Sequence, residues 1–420
     1  MYRNTNSPII SPYRILDLTE GGCMIGGRIL ADLGADVIKI EPPAGSLSRI
    51  APFYHDKPDP EKSLYWFAYN LNKRGITLDI SRNEGREIFK KLASTADVVI
   101  ESFEHGVMQQ YGLGYEDLVK TQPDIILTSI AFFGQSGPKA KFKGSDLTTW
   151  ASGGFLFICG EPDRAPTWIG FPQASLHAGS EAATGTMTAL WHRLNTGEGQ
   201  QVGVSMQECV VACTFNTPEM WDLNRVEFKR FSQGMNIGTG GVRTTHVYQC
   251  KDGYVLMVMQ GGVEPFVSSL RALITWMAED GMAEDWLKEM DWAADYDASK
   301  LTQEKVDRVE AAVARFLLTR TKQDLYDNGA LKRRILLAPM GTAKDLCENE
   351  QLKARDFWMQ VEHPELGDTL QYPGSFVKVD GKGMTTGYRA PLLGEHNAEI
   401  YREIGLSADG LDSLKQSGVV

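Results

Sequence analysis

Ser175 and His177 stand at the head of a stretch, Phe171 to Ser205, whose later residues are built for close packing. A serine becomes a nucleophile only with a base beside it, and His177 is the near candidate in sequence. Residues i and i+2 diverge on a helix or strand end, so the two make a poor dyad. Polar groups also cluster at Asn70-Leu-Asn-Lys-Arg74 and Ser102-Phe-Glu-His-Gly106, while Gly234-Met-Asn-Ile-Gly-Thr-Gly-Gly241 reads as a flexible loop. The six cysteines (Cys23, Cys159, Cys209, Cys213, Cys250, Cys347) show no metal-ligand spacing, and no metal is expected. Cys209 and Cys213, four apart on a helical pattern, are expected to be core thiols.

The elements that must position these residues follow from periodicity. Arg14–Leu18 and Asp36–Glu41 read as strands flanking a helix from Met24 to Leu33, a parallel pair with a crossover. Gly21, Gly22, Gly26 and Gly27 follow the first strand without the G-x-G-x-x-G spacing of a dinucleotide site. Further strands are predicted at Gly75–Asp79, Asp97–Glu101 and Asp124–Ile130, with a capping box at Ser81–Glu84 opening a helix through Leu92. Strands alternating with helices give an α/β domain whose ligands gather where strands end, and the Asn70 and Ser102 clusters lie at two such ends.

Small residues at Gly179, Ala182, Ala183, Gly185, Thr186 and Ala189 then give a helix through Thr196 with one narrow face for packing against another backbone, Ser175 standing just before it. A Thr-Gly-Glu-Gly turn leads to a short strand at Val202–Val204, and helical pattern runs from Met206 to about Trp221. A hairpin is predicted where Val242–Gln249 and Tyr254–Met259 flank Lys251-Asp-Gly253. Amphipathic helices follow at Pro265–Met277 and Gln303–Leu318, with the acidic segment Ala278–Ser299 between them facing solvent. Short strands return at Leu366–Tyr372 and Ser375–Val379. The domain expectation is a large α/β domain over 1–222, a small inserted domain over 223–328, and a linker with return to the large domain over 329–420.

A chain of 420 residues exceeds one ordinary core. Its 42% hydrophobic and 23% charged residues describe a globular chain, and the net charge of −11 argues against a nucleic-acid partner. The N-terminal residues lack the apolar run of a signal peptide and no window reaches a membrane span, so the expectation is a cytoplasmic protein without a membrane partner.

Several stretches together resemble the family III CoA-transferases of the CaiB/BaiF type. They are Arg14–Leu18, Leu30-Ala-Asp-Leu-Gly-Ala-Asp-Val-Ile-Lys-Ile-Glu-Pro-Pro43, Asn72-Lys-Arg74 with Leu78-Asp79, and Gly112-Leu-Gly-Tyr-Glu-Asp-Leu118. Phe133-Gly-Gln-Ser-Gly-Pro138, Thr196-Gly-Glu-Gly-Gln200, Ala354-Arg-Asp-Phe-Trp358 and Leu393-Gly-Glu-His396 continue the match in family order. The resemblance implies a Rossmann-like large domain, a smaller α+β domain, and two interlocked ring-shaped subunits. It implies transfer of CoA from an acyl-CoA to a free acid through an aspartyl mixed anhydride, with the CoA thioester as substrate and no tightly bound cofactor. It also places Leu71, Asn72, Lys73, Arg74, Ser102, Phe103, Met108 and Lys143 at the CoA site, and makes Gly238, Gly240 and Gly241 a loop over the reacting group. From the residues alone, Lys73, Arg74 and Lys143 are equally well solvated surface cations, and the glycines a plain interdomain turn.

The chain departs from the family at three places. The aspartate four residues before Gly179 is Ser175, whose acyl adduct would be an ordinary ester, more stable than a thioester. Asn-Phe-Arg-Pro-Gly becomes Ser102-Phe103-Glu104-His105-Gly106, with Gln110 at a nearby basic position, so phosphate contacts are lost and Glu104 repels an anion by on the order of 1 kcal/mol. Gly-Tyr-Asp becomes Gly144-Ser145-Asp146. The implied role is a non-catalytic subunit paired with a homologous, aspartate-bearing one. The resemblance is best to hetero-oligomeric members acting in anaerobic toluene degradation, with succinyl-CoA as donor and benzylsuccinate as acceptor. Two alternatives stand beside it. One is an active homodimer, either a transferase with a displaced nucleophile or an acyl-CoA racemase, although the Gly-His-Asp of such racemases is absent. The other is a CoA-binding scaffold without turnover.

Overall fold

The computed structural model describes residues 10, 13–161, 163–214, 216–227, 230, 242–374, 376–379, 381–383 and 387–420. Contacts divide the chain into two units, one of 1–156, 168–227 and 351–420, the other of 157–167 and 228–350. Both are mixtures of helix and strand, and a parallel sheet is central to the first.

The first unit is built on six strands: β1 (Arg14–Leu18), β2 (Asp36–Glu41), β3 (Arg74–Thr77), β4 (Val98–Glu101), β5 (Ile126–Ala131) and β6 (Gln201–Ser205). They lie in the order β3-β2-β1-β4-β5-β6, and every pairing is parallel. Nearly every residue of β1, β2, β4 and β5 is buried, whichever face it points to, the mark of a sheet covered on both faces. Leu16, Leu18, Ile38 and Ile40 pack with Ile88, Phe89 and Leu92 of α3 (Asn83–Ala93) and with Ile400, Tyr401 and Leu411 near the C-terminus. Ile15, Val37, Val98 and Ile100 pack instead with α1 (Met24–Asp32) and the long α7 (Ala174–Thr196). The connections carry α2 (Leu64–Asn70), the four-residue α4 (Val107–Gln110) and α5 (Tyr115–Leu118), and α6 (Asp146–Ser152). Gly197, at φ 78°, ends α7 in the left-handed conformation that glycine adopts without strain.

Three local expectations change. Asp79 captures the Ser81 N–H at 2.9 Å and its hydroxyl at 2.6 Å, so Ser81 caps nothing and α3 starts at Asn83. The helix predicted over 206–221 is two, α8 (Met206–Ala212) and α9 (Asn216–Asn224), because the Thr214 and Thr217 hydroxyls bond back to carbonyls three residues earlier at the junction. Cys213 is exposed and is not a core thiol.

The second unit has a three-stranded antiparallel sheet of β7 (Val247–Cys250), β8 (Gly253–Met257) and β9 (Leu337–Pro339). The expected hairpin is β7–β8, and β9 carries the unit beyond residue 328 by pairing with β8. Against it pack α10 (Phe266–Glu279) and α12 (Gln303–Leu317). The segment 278–299, which includes α11 (Asp285–Glu289), does not simply face solvent. Leu287, Trp292 and Tyr296 are buried in the same core, because its apolar residues recur often enough to cover the sheet while the acidic ones point outward. After residue 350 the chain returns to the first unit with a hairpin of β10 (Trp358–His363) and β11 (Asp368–Pro373). Of the predicted strand 375–379, Lys378 and Val379 are extended, and Ser375 lies outside the described residues.

Candidate active site

The head of α7 is set by a crossing of two helix backbones. A Cβ placed on Gly26 of α1 would lie 2.7 Å from the Gly179 carbonyl oxygen, and one on Gly179 would lie 2.9 Å from the Cys23 carbonyl oxygen. Only glycines permit this approach, which is why the narrow face of α7 exists. It presses the first turn of α7 against Gly22, where any Cβ would collide with Ser175 Oγ. Ser175 sits inside that turn, one residue after its start, and not before the helix.

Its partner is Asp146, a residue that stands in the sequence only as the last of Gly144-Ser145-Asp146. Asp146 Oδ2 accepts the Ser175 N–H and the Ser175 hydroxyl, both at 3.0 Å, while Oδ1 accepts the Gln173 N–H at 3.1 Å. The carboxylate from α6 thus caps α7, whose own N-cap residue, Gln173, makes no side-chain cap. Ser145, in the place of the family's tyrosine, caps α6 through a reciprocal box with Thr148 and so fixes Asp146. That Ser-x-x-Thr spacing was the available signal. The His177 ring lies 3.8 Å from the Cys213 sulfur, away from this arrangement. A carboxylate beside a serine does not rescue serine chemistry. It is far too weak a base to ionise an alcohol, and the product would still be an ester.

At the carboxyl ends of β4 and β5, Ser102, Phe103, Glu104, His105, Phe132, Lys141, Phe142 and Lys143 line a cavity of about 50 Å³. The Glu104 carboxylate lies 3.3 Å from Lys143 Nζ, both side chains exposed. Ser102 Oγ accepts the Glu20 N–H at 2.9 Å, and Glu20 in turn accepts the Ser46 and Ser48 hydroxyls, tying together the chain beyond β1, β2 and β4. Beneath them Glu101 is buried. Desolvation pushes its carboxyl up to about 7, against the Ser129 hydroxyl and the Phe103 N–H, which donates at 2.7 Å.

The other CoA-site residues expected from the sequence do not line this cavity. Leu71 and Met108 are buried in apolar clusters. Lys73 is 3% exposed, and its ammonium donates to Asp17 at 2.8 Å and to Met24 O and Asn70 Oδ1 at 2.9 Å. It is therefore neither a solvated cation nor a free phosphate donor. Burial draws Lys73 down to about 8 against the pull of Asp17. Burial would raise Asp17, but Lys73 and Lys39 together outweigh it and hold the carboxyl below its usual range. Arg74 is engaged by Asp36, Glu399 and Glu403. Asn72 joins Asp32 at 2.6 Å and the Tyr388 N–H at 2.8 Å. Gly238, Gly240 and Gly241 lie outside the described residues. Among the described residues no three His, Cys, Asp or Glu gather as metal ligands, and no helix is long and apolar enough to cross a membrane.

A parallel sheet in this strand order, with polar loops gathered at its carboxyl ends, defines a doubly wound α/β protein whose ligands bind at those ends. The chain belongs to CoA-transferase family III, whose model matches residues 10–397. It is 34% identical over 416 residues to the succinyl-CoA:(R)-benzylsuccinate CoA-transferase subunit BbsE of Thauera aromatica, covering 98% of each chain. It is 30% identical over 405 residues to the succinyl-CoA:mesaconate CoA-transferase of Haloarcula hispanica, covering 94% of this chain and 96% of that one. Among solved structures, a CaiB/BaiF family protein from Brucella suis superposes with a TM-score of 0.80 at 27% identity, over 95% of this chain and 100% of that one.

Proposed function

We propose that this chain is the acyl-transfer-silent subunit of a hetero-oligomeric family III CoA-transferase, acting in the cytoplasm with a homologous subunit that supplies the nucleophilic aspartate. The observation that carries this reading is Ser175, in the first turn of α7, with its hydroxyl bound to Asp146. A hydroxyl there can form an ester but not the mixed anhydride that keeps acyl exchange reversible. The likeness to a protein named as one subunit of a CoA-transferase supports it, and points to succinyl-CoA as donor and a benzylsuccinate-like dicarboxylic acid as acceptor. Interlocked rings, as the family resemblance implies, give a reason to keep a silent chain, since neither subunit would fold fully alone. Purification of the complex from its native source tests this: two homologous chain types are expected, and a fully active assembly of this chain alone contradicts it.

One observation favours a second reading. Asp146 places a carboxylate 3.0 Å from Ser175 Oγ, so a displaced nucleophile is available within this chain. Its oxygens already accept two backbone N–H groups and a hydroxyl, which costs nucleophilicity. Hydroxylamine trapping during turnover distinguishes the two, because hydroxylamine attacks an activated aspartyl carbonyl and displaces the carboxylate or CoA thiolate: a hydroxamate left at Asp146 supports the second reading and one at the partner's aspartate the first.

A further inference from the structure

The cavity at the ends of β4 and β5 has three features that belong together. The loop around Phe142 carries Lys139, Lys141 and Lys143 at exposed positions, a cluster suited to phosphate. His105, which lines the cavity, has a buried Nδ1 without a hydrogen-bond partner among the described residues, an atom that a ligand can satisfy. Glu104 lies across the same cavity with its carboxylate 3.3 Å from Lys143 Nζ.

We propose that Glu104, by pairing with Lys143 at the mouth of this cavity, is a charge latch that sets how tightly this subunit holds a phosphorylated ligand, here a CoA thioester. A phosphate reaching Lys143 must displace the Glu104 carboxylate and then lie beside it, so the latch opposes binding twice. The pair is exposed, so it opens without disturbing the core, and salt weakens it. Lys73 offers no such freedom, since its ammonium is buried with Asp17. The subunit would therefore hold CoA weakly and leave the thioester to its partner. The proposal rests on the reading above only in taking a CoA thioester as the ligand.

The test is a double-mutant cycle on the full-length protein, with any partner that co-purifies, titrating CoA and phosphate-free pantetheine by calorimetry at low and moderate salt. Glu104→Gln is expected to tighten CoA binding about three- to tenfold, less at higher salt, and to leave pantetheine unchanged. Lys143→Gln alone is expected to alter CoA binding less than about twofold, and to abolish the gain when combined with Glu104→Gln. Unchanged CoA binding in Glu104→Gln overturns the latch. So does an equal gain for pantetheine, an equal loss from Lys143→Gln in both backgrounds, or no measurable CoA binding by either protein. Any of these leaves the silent-subunit reading untouched, because that is decided by chain composition and turnover.

Discussion

Two lysines of the first unit, Lys73 and Lys143, look alike in the sequence, where the family resemblance implies a place at the CoA site for both, and each is paired with a carboxylate. Their surroundings make them opposites. Lys73 and Asp17 are both fully buried side chains joined at 2.8 Å, with Lys39 also 3.8 Å from Asp17. Lys143 and Glu104 meet at 3.3 Å with both side chains largely in water. The first pair is part of the scaffold, because removing either partner strands a charge where water cannot reach it. The second contributes little to stability and can be exchanged for a ligand. A cation's availability to substrate is set by burial and by its other partners, not by its place in a motif.

Breaking the buried side of this contrast should have the largest effect. Asp17→Asn leaves Lys73 and Lys39 without their anion and is expected to cost about 3–5 kcal/mol in chemical denaturation. Next comes the backbone crossing that presents Ser175. Gly179→Ala forces a Cβ within 2.9 Å of the Cys23 carbonyl and 2.6 Å of Ile25 Cγ2, and is expected to cost about 1–3 kcal/mol.

Glu101 sharpens the comparison through pH. Its folded pKa of about 7 lies above the ordinary carboxyl value of 4.5, so the folded protein binds more protons between those values. Its contribution to stability is then present below about 4.5 and is lost as pH rises through 7. Glu101→Gln should remove that dependence and leave the melting temperature flatter from pH 5 to 8; an unaltered profile contradicts the burial argument. The smallest effect belongs to the exposed pair, where Glu104→Gln should change stability by less than about 1 kcal/mol.

Much of this was legible in the sequence for physical reasons. Strands such as Arg14–Leu18 and Asp36–Glu41 fall where expected, because Ile15, Leu16 and Leu18 and Val37, Ile38 and Ile40 are β-rich apolar residues followed by turn residues, although Asp17 and Lys39 interrupt them. The small-residue face of α7 announced a close helix crossing, though its partners, Gly26 and Cys23, are far away in the chain. What could not be read was pairing at long range. Asp146 reaches Ser175 across 29 residues, and Lys73 reaches Asp17 across 56, contacts that only the folded sheet creates. The segment 278–299 misled because its acidic composition outweighed the spacing of Leu287, Trp292 and Tyr296, which bury themselves while their neighbours remain outside.

The most direct measurement is CoA exchange between succinyl-CoA and free dicarboxylic acids by this chain produced without any homologous companion, then by the assembly formed when it is co-expressed with an aspartate-bearing subunit. No exchange above background from the chain alone, and turnover by the co-expressed assembly, is the predicted result. Turnover at enzymatic rates by the unaccompanied chain, lost in Asp146→Asn or in Ser175→Ala, would contradict a silent subunit outright.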